Sequence, residues 1–158
     1  MPELEVTLAT TLSSRFTAHA ARIRELAAPL TDAQFWQKPF PYGNSFGHLV
    51  LHLTGNLSYY VGAQIAATGY VRDRPHEFAD ANPPAKDVAL QRLDAAIAMV
   101  CETIRGQSSA DWTKPYSATG TNAPDHLSIF LLCESHLQLH IGQMIYLGYE
   151  LQRQKDSA

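Results

Sequence analysis

Clusters of basic charge are missing from this sequence. Its twelve Lys and Arg residues are scattered, no run exceeds "RDR" at Arg72–Arg74, and the formal net charge is -3. That excludes the electrostatic footprint of a nucleic-acid surface, which needs Lys and Arg gathered against phosphates. Long apolar runs are missing too: no stretch offers the roughly 18 consecutive apolar residues of a membrane-spanning helix. Glu3 and Glu5 stand where a secretory signal would carry positive charge, so a cytoplasmic protein is the expectation. Cysteine is scarce: there are two, Cys101 in "AMVCETI" and Cys133 in "FLLCESH", with no CxxC pair. Both read as free thiols packed as small hydrophobes rather than as a disulfide. Strand-like alternation, internal repeats and low-complexity segments are also absent, which argues against a sheet, a solenoid or a disordered chain.

What is present is helical periodicity. With 158 residues, 46% of them apolar and 17% charged, the chain is long enough for one domain spanning residues 1–158 that buries roughly two thirds of its unfolded surface. Apolar positions at Leu12, Phe16, Ile23 and Leu26, with His19 among them, predict a first helix from about Leu4 to Leu30. "TDAQFW" opens with a T-x-x-Q capping box at Thr31–Gln34 and predicts a short helical turn. Asn44 or Ser45 can cap a second long helix that runs to Gly69. "YVRDRPHEFADANPP" reads as a solvated surface loop, and a third helix is expected from about Lys86 to Arg105, stopped by Gly106. The last helix, from about Pro124 to Gln152, is apolar nearly all round through "LSIFLLC" and is expected to be the most buried. The fold class expected is all-α, an antiparallel four-helix bundle with two long connections.

Against that background the histidines stand out. His136 and His140 lie four residues apart on the last helix, so both imidazoles can reach one point. Alone, H-x-x-x-H reads more readily as two satisfied histidines at a core edge. The second helix repeats the spacing with His48 and His52, and a bundle core is where metal sites are built from facing helices. Leaving several imidazoles buried without partners would cost about 1–3 kcal/mol for each unsatisfied group. A shared divalent cation removes that cost. His19, His76 and His126 read as core edge, solvated loop and helix end.

"NSFGHLVLHLTGN", followed about 85 residues later by "HLQLHIGQMIYL", resembles the DinB/YfiT-like superfamily of metal-binding four-helix bundles over nearly the whole chain. The resemblance rests on a serine opening the second helix seven residues before a ligand histidine, matched by Ser45 and His52, and on H-x-x-x-H followed by a glutamine, matched by His136, His140 and Gln143. It implies a metal triad of His52, His136 and His140. It also implies a range of activities, including low-molecular-weight thiol transferases, thiol-dependent isomerases and members of no assigned activity, and it points to a homodimer.

His48 has no fixed counterpart in that pattern. It is open to the roles of fourth ligand, general base or core filler, with a supporting or pocket-lining role favoured. His48 and Gln143 are the candidate catalytic groups. Three neutral histidines suit Zn or Ni first, and Fe, Co or Mn after them. They leave a coordination position open, as catalytic sites do. The expected function is therefore a metal-dependent enzyme that activates a small-molecule thiol or water for attack on an electrophile, tipped toward the thiol by the resemblance. The alternatives are a noncatalytic, stress-associated metal-binding dimer with a closed site and no adjacent pocket, or a bundle whose histidines are core polar groups. Asn56 and Gln143 are placed to orient a ligand or to bridge helices. Tyr59, Tyr60 and Tyr146 read as core before pocket, Cys133 reads as packing, and Glu102 and Asp94 receive no role. Arg72 and Arg74 would meet a carboxylate only if their loop folded over a pocket mouth, and a solvated loop is the expectation for them.

Overall fold

Four long helices carry the architecture, and the order of their contacts fixes where the histidines meet. A computed structural model describes residues 3–79 and 81–157. In chain order the helices are α1 (Leu4–Ala27), α2 (Asp32–Trp36), α3 (Phe46–Leu57), α4 (His76–Ala79), α5 (Lys86–Arg105), α6 (Ser109–Trp112) and α7 (His126–Asp156). Helix α3 continues directly into a π-helical segment, Ser58–Ala63. No β-strand is found among the described residues; a lone bridge joins Pro115 and Asp125.

Helix α1 packs on α5 and α7, and α3 packs on the same two, so the four close into a ring around one core. That core holds Phe16, Phe35, Phe46, Leu53, Phe130 and Leu137, each without measurable exposure. Cross-helix contacts give the directions. Lys86, opening α5, donates to the Leu30 carbonyl just past α1 (2.6 Å), while Cys101 near the far end donates to the Ser13 carbonyl (3.6 Å). Those two helices are antiparallel. Helix α3 starts beside α2, where the Trp36 ring covers Gly47, and its π-helical extension ends where the Tyr60 hydroxyl donates to the Thr119 carbonyl ahead of α7 (3.3 Å). It therefore runs against α7. Helices α3 and α5 share a direction, because residues 64–85 travel back along the bundle and build α4 on the way.

Two expectations change in the structure. The second helix stops as a regular element at Ala63, before the chain turns through Ala67 (φ 53°) and Gly69 (φ 74°). The last helix is not the most buried. Leu131 and Leu132 are each 48% exposed, because α7 packs one side against α1, α3, the π-helical segment and α6 and leaves its outer side open. Helix α3 is the most enclosed, with nine of its twelve residues buried.

Candidate metal centre

Helix α3 begins with a reciprocal cap. The His48 backbone N–H donates to Ser45 Oγ (3.1 Å), and His48 Nδ1 in turn accepts from the Ser45 backbone N–H (3.3 Å), while Ser45 Oγ lies 2.7 Å from that nitrogen. His48 holds the position that Glu or Gln occupies in the usual capping box, and its ring meets the Trp36 edge at 5.7 Å. The imidazole is thus engaged at the helix start and is not part of the wall of the cavity described below. Burial, with Lys38 nearby, lowers its pKa.

One turn further, His52 points at the α7 pair. Its Nε2 lies 3.3 Å from His136 Nε2, which lies 2.9 Å from His140 Nε2, and one ligand nitrogen from each ring falls within 4.8 Å of the others. The three ring centroids are 4.4 to 5.1 Å apart. Tetrahedral zinc with bonds near 2.05 Å would hold its nitrogens about 3.3 Å apart, so the spacing matches a shared ion.

Neighbours decide which nitrogens are free. Glu77 Oε2 accepts from His52 Nδ1 (2.8 Å), and Gln143 Oε1 accepts from His140 Nδ1 (2.7 Å). With the proton on Nδ1, each ring aims its Nε2 lone pair inward. His136 Nδ1 is buried without a partner, so no placement of its proton satisfies the trio by hydrogen bonds alone. Converging lone pairs with an orphaned ring nitrogen fit a cation better than a hydrogen-bonded core cluster.

The environment favours neutral ligands. Burial, reinforced by His140, His52, Arg72 and Arg74, pushes the pKa of His136 down to about 4. Burial also lowers that of His140 against the opposing hydrogen bond from Gln143. Both imidazoles are neutral near pH 7, each keeping a single ring N–H.

Glu77 is held just as firmly. Arg72 forks onto it, Nε to Oε1 at 2.7 Å and Nη2 to Oε2 at 2.9 Å. Burial alone would raise the Glu77 pKa, yet the bonds from His52 and Arg72, with the arginine's charge, bring it below the ordinary carboxylate value. The close approach of α4 to α3 depends on Gly55: a Cβ there would sit 2.1 Å from Glu77 Oε1. Phe78 covers the other side of His52, ring to ring at 4.9 Å.

Beside the triad lies a cavity of about 900 Å³ whose wall includes His52, His136, Asn56, Tyr59 and Tyr60. Cys133 is also in that wall, and burial pushes its thiol up to about 12, so it stays protonated as a packing group. Tyr146 is 73% exposed and away from this cavity. Asp94 pairs with Arg24 across α1 and α5. His19 bonds Glu134 (2.8 Å), His126 bonds Gln107 (2.8 Å), and His76 pairs with Asp73 (2.9 Å), all outside the triad.

Sequence reasoning missed Glu77 and left Arg72 in a solvated loop, whereas Glu77 is buried and Arg72 half-buried beside it, packed toward His52 on α3. A signal was available: a glycine inside an otherwise apolar helix costs about 1 kcal/mol relative to alanine and often marks a close approach. Gly55, within "HLTGN", is that residue.

A family model described as the DinB superfamily matches residues 15–144, a span that includes all three histidines. Among solved structures, a crystal structure of a conserved protein from Enterococcus faecalis is similar, with a TM-score of 0.72 and 16% identity over 90% of this chain and 95% of that one. At that identity the likeness speaks for the fold alone. No curated protein matches the chain significantly.

Proposed function

Because this chain belongs to the DinB superfamily, and its three imidazole nitrogens converge beside a cavity, we propose that it is a divalent-metal-dependent enzyme activating a small-molecule thiol or water for attack on an electrophile. The observation that carries this reading is the convergence of His52, His136 and His140 through Nε2, with two of the rings fixed from behind by Glu77 and Gln143. Zn or Ni suits a set of three neutral imidazoles best, followed by Fe, Co or Mn.

When bound, such a cation would act as a Lewis acid and lower the pKa of a thiol or water in its remaining coordination position. The chain's own residues supply the rest. Glu77, clamped by Arg72, holds the His52 ring in the ligating tautomer, and Gln143 does the same for His140. Both are positioning residues. The cavity on the His52 and His136 side has room for a thiol and its electrophile, within the size range of small-molecule sites. The noncatalytic reading predicts a closed site, for which His48 is one candidate fourth ligand, and no adjacent pocket. The engagement of His48 with Ser45 and the cavity beside the triad both favour the enzyme.

The test is turnover of 1-chloro-2,4-dinitrobenzene with a panel of low-molecular-weight thiols, before and after stripping the metal. Activity that disappears on stripping and returns with Zn or Ni is the expected result. Thiol conjugation that survives complete metal removal rejects the proposal.

A further inference from the structure

The cavity beside the triad carries a recognition pattern of its own. Asn56, one turn beyond His52 on α3, is only 8% exposed and forms part of the cavity wall. Among the described residues its carboxamide has no hydrogen-bond partner, unlike the Glu77 side chain that accepts from His52. Its amide borders the cavity rather than being sealed inside the core. A ligand in that space is the group it can bond.

Charge adds a second observation. The cavity wall includes Arg72 and Arg74 and no Asp or Glu, although the chain as a whole has a formal charge of -3. Arg72 is neutralised by its fork to Glu77. Arg74, an exposed residue of the same wall, forms no ion pair among the described residues; its guanidinium sits over the Phe78 ring, 6.0 Å from the centroid. The cavity wall thus carries a guanidinium with no ion pair, and an amide with no hydrogen bond, among the described residues. The same wall also includes the apolar and aromatic side chains of Ile129, Leu132 and Tyr59.

We infer that this cavity takes a small carboxylate with an apolar body, its carboxylate held by Arg74 and a second polar group bonded by Asn56. The inference rests on the proposed function for the site and names the class of its substrate. A single guanidinium matches one planar carboxylate in charge and shape, whereas a phosphate dianion would need donors beyond Arg74. A cation held by three neutral histidines would keep its full charge and favour an anionic ligand in the same direction.

Two probes of equal size separate charge from shape: 3-phenylpropanoate and 3-phenylpropanamide. Each is titrated into the full chain, metal-free and zinc-loaded, while the Asn56 side-chain amide resonances are followed by NMR. The carboxylate is expected to bind about tenfold more tightly than the amide, to shift the Asn56 signals, and to lose its advantage in Arg74→Gln with amide binding unchanged. Equal affinity for both probes, a preference that survives Arg74→Gln, or no binding of either at millimolar concentration overturns the inference. Elemental analysis of the same samples keeps the two claims apart. A chain that takes up no zinc contradicts the metal reading, and the metal-free titration still decides the carboxylate.

Discussion

A methyl group at Gly55 would lie 2.1 Å from Glu77 Oε1, well inside contact distance, so Gly55→Ala cannot leave the carboxylate where it is. Either Glu77 withdraws from His52 or α4 moves away from α3. The expected result is a loss of about 10- to 100-fold in zinc affinity, the range typical of disturbed partners of metal ligands, measured by competition with a chromophoric chelator. Affinity equal to that of the unmodified chain would show that Glu77 does not orient His52. A second residue-scale outcome concerns Cys133, 2% exposed with its thiol pushed up to about 12. Iodoacetamide at pH 8 should leave it unmodified in the folded chain and label it once guanidinium unfolds the protein. Fast labelling of the native state would place a thiolate in the cavity wall and contradict its role as packing.

At the scale of elements, α1 and α7 are tied by one buried carboxylate. Glu134 accepts from His19 Nε2 (2.8 Å) and Arg15 Nε (2.7 Å). Burial would raise its pKa, but the bonds from His19 and Arg15 and the arginine's charge leave it lowered. A carboxyl with a lower pKa folded than unfolded adds stability that is fully present above the unfolded value, about 4.3. That contribution fades as pH falls through the folded value. Glu134→Gln should therefore cost about 1–2 kcal/mol at pH 7, discounted for the exposed Arg15, and the gap to the unmodified chain should narrow as pH falls below about 4.3. Urea melts across this range measure it; a gap that stays constant with pH would mean the charge of Glu134 contributes nothing.

Elements also show what the sequence could reveal. The pairs His48/His52 and His136/His140 were legible because helical periodicity converts a spacing of four into a shared face, whereas the choice of His52 over His48 came only from the family resemblance. Ser45 was legible as a cap, but His48 was ambiguous, since S-x-x-H lacks the usual Glu or Gln and its ring turns back to the cap. Glu77 and Arg72 were not legible: they come from the connection between α3 and α5, and only the packed bundle brings them to His52. The π-helical segment at Ser58–Ala63 also left no mark in the apolar pattern, and it is where Tyr59 and Tyr60, consecutive in sequence, both reach the cavity. Periodicity likewise overstated the burial of α7, because an apolar helix reads the same whether its outer side meets a neighbour or water.

For the whole molecule, that outer side has a consequence. Leu132, Leu139, Tyr146 and Tyr149 are exposed at spacings that keep them along one side of α7. A monomer leaving such a stripe in water is a candidate for twofold pairing. Light scattering should give twice the 17.5 kDa chain mass, and Leu139→Asp should halve it without changing the metal content. A monomeric mass at micromolar concentration would remove the expectation of a homodimer.

The triad itself is the central claim, and elemental analysis of tag-free protein alongside His52→Ala tests it most directly. Three imidazoles that share one ion predict about one Zn or Ni per chain, and near-complete loss in the variant while its helical circular dichroism is retained. No tight uptake by the unmodified chain, or the same stoichiometry in His52→Ala, would contradict it.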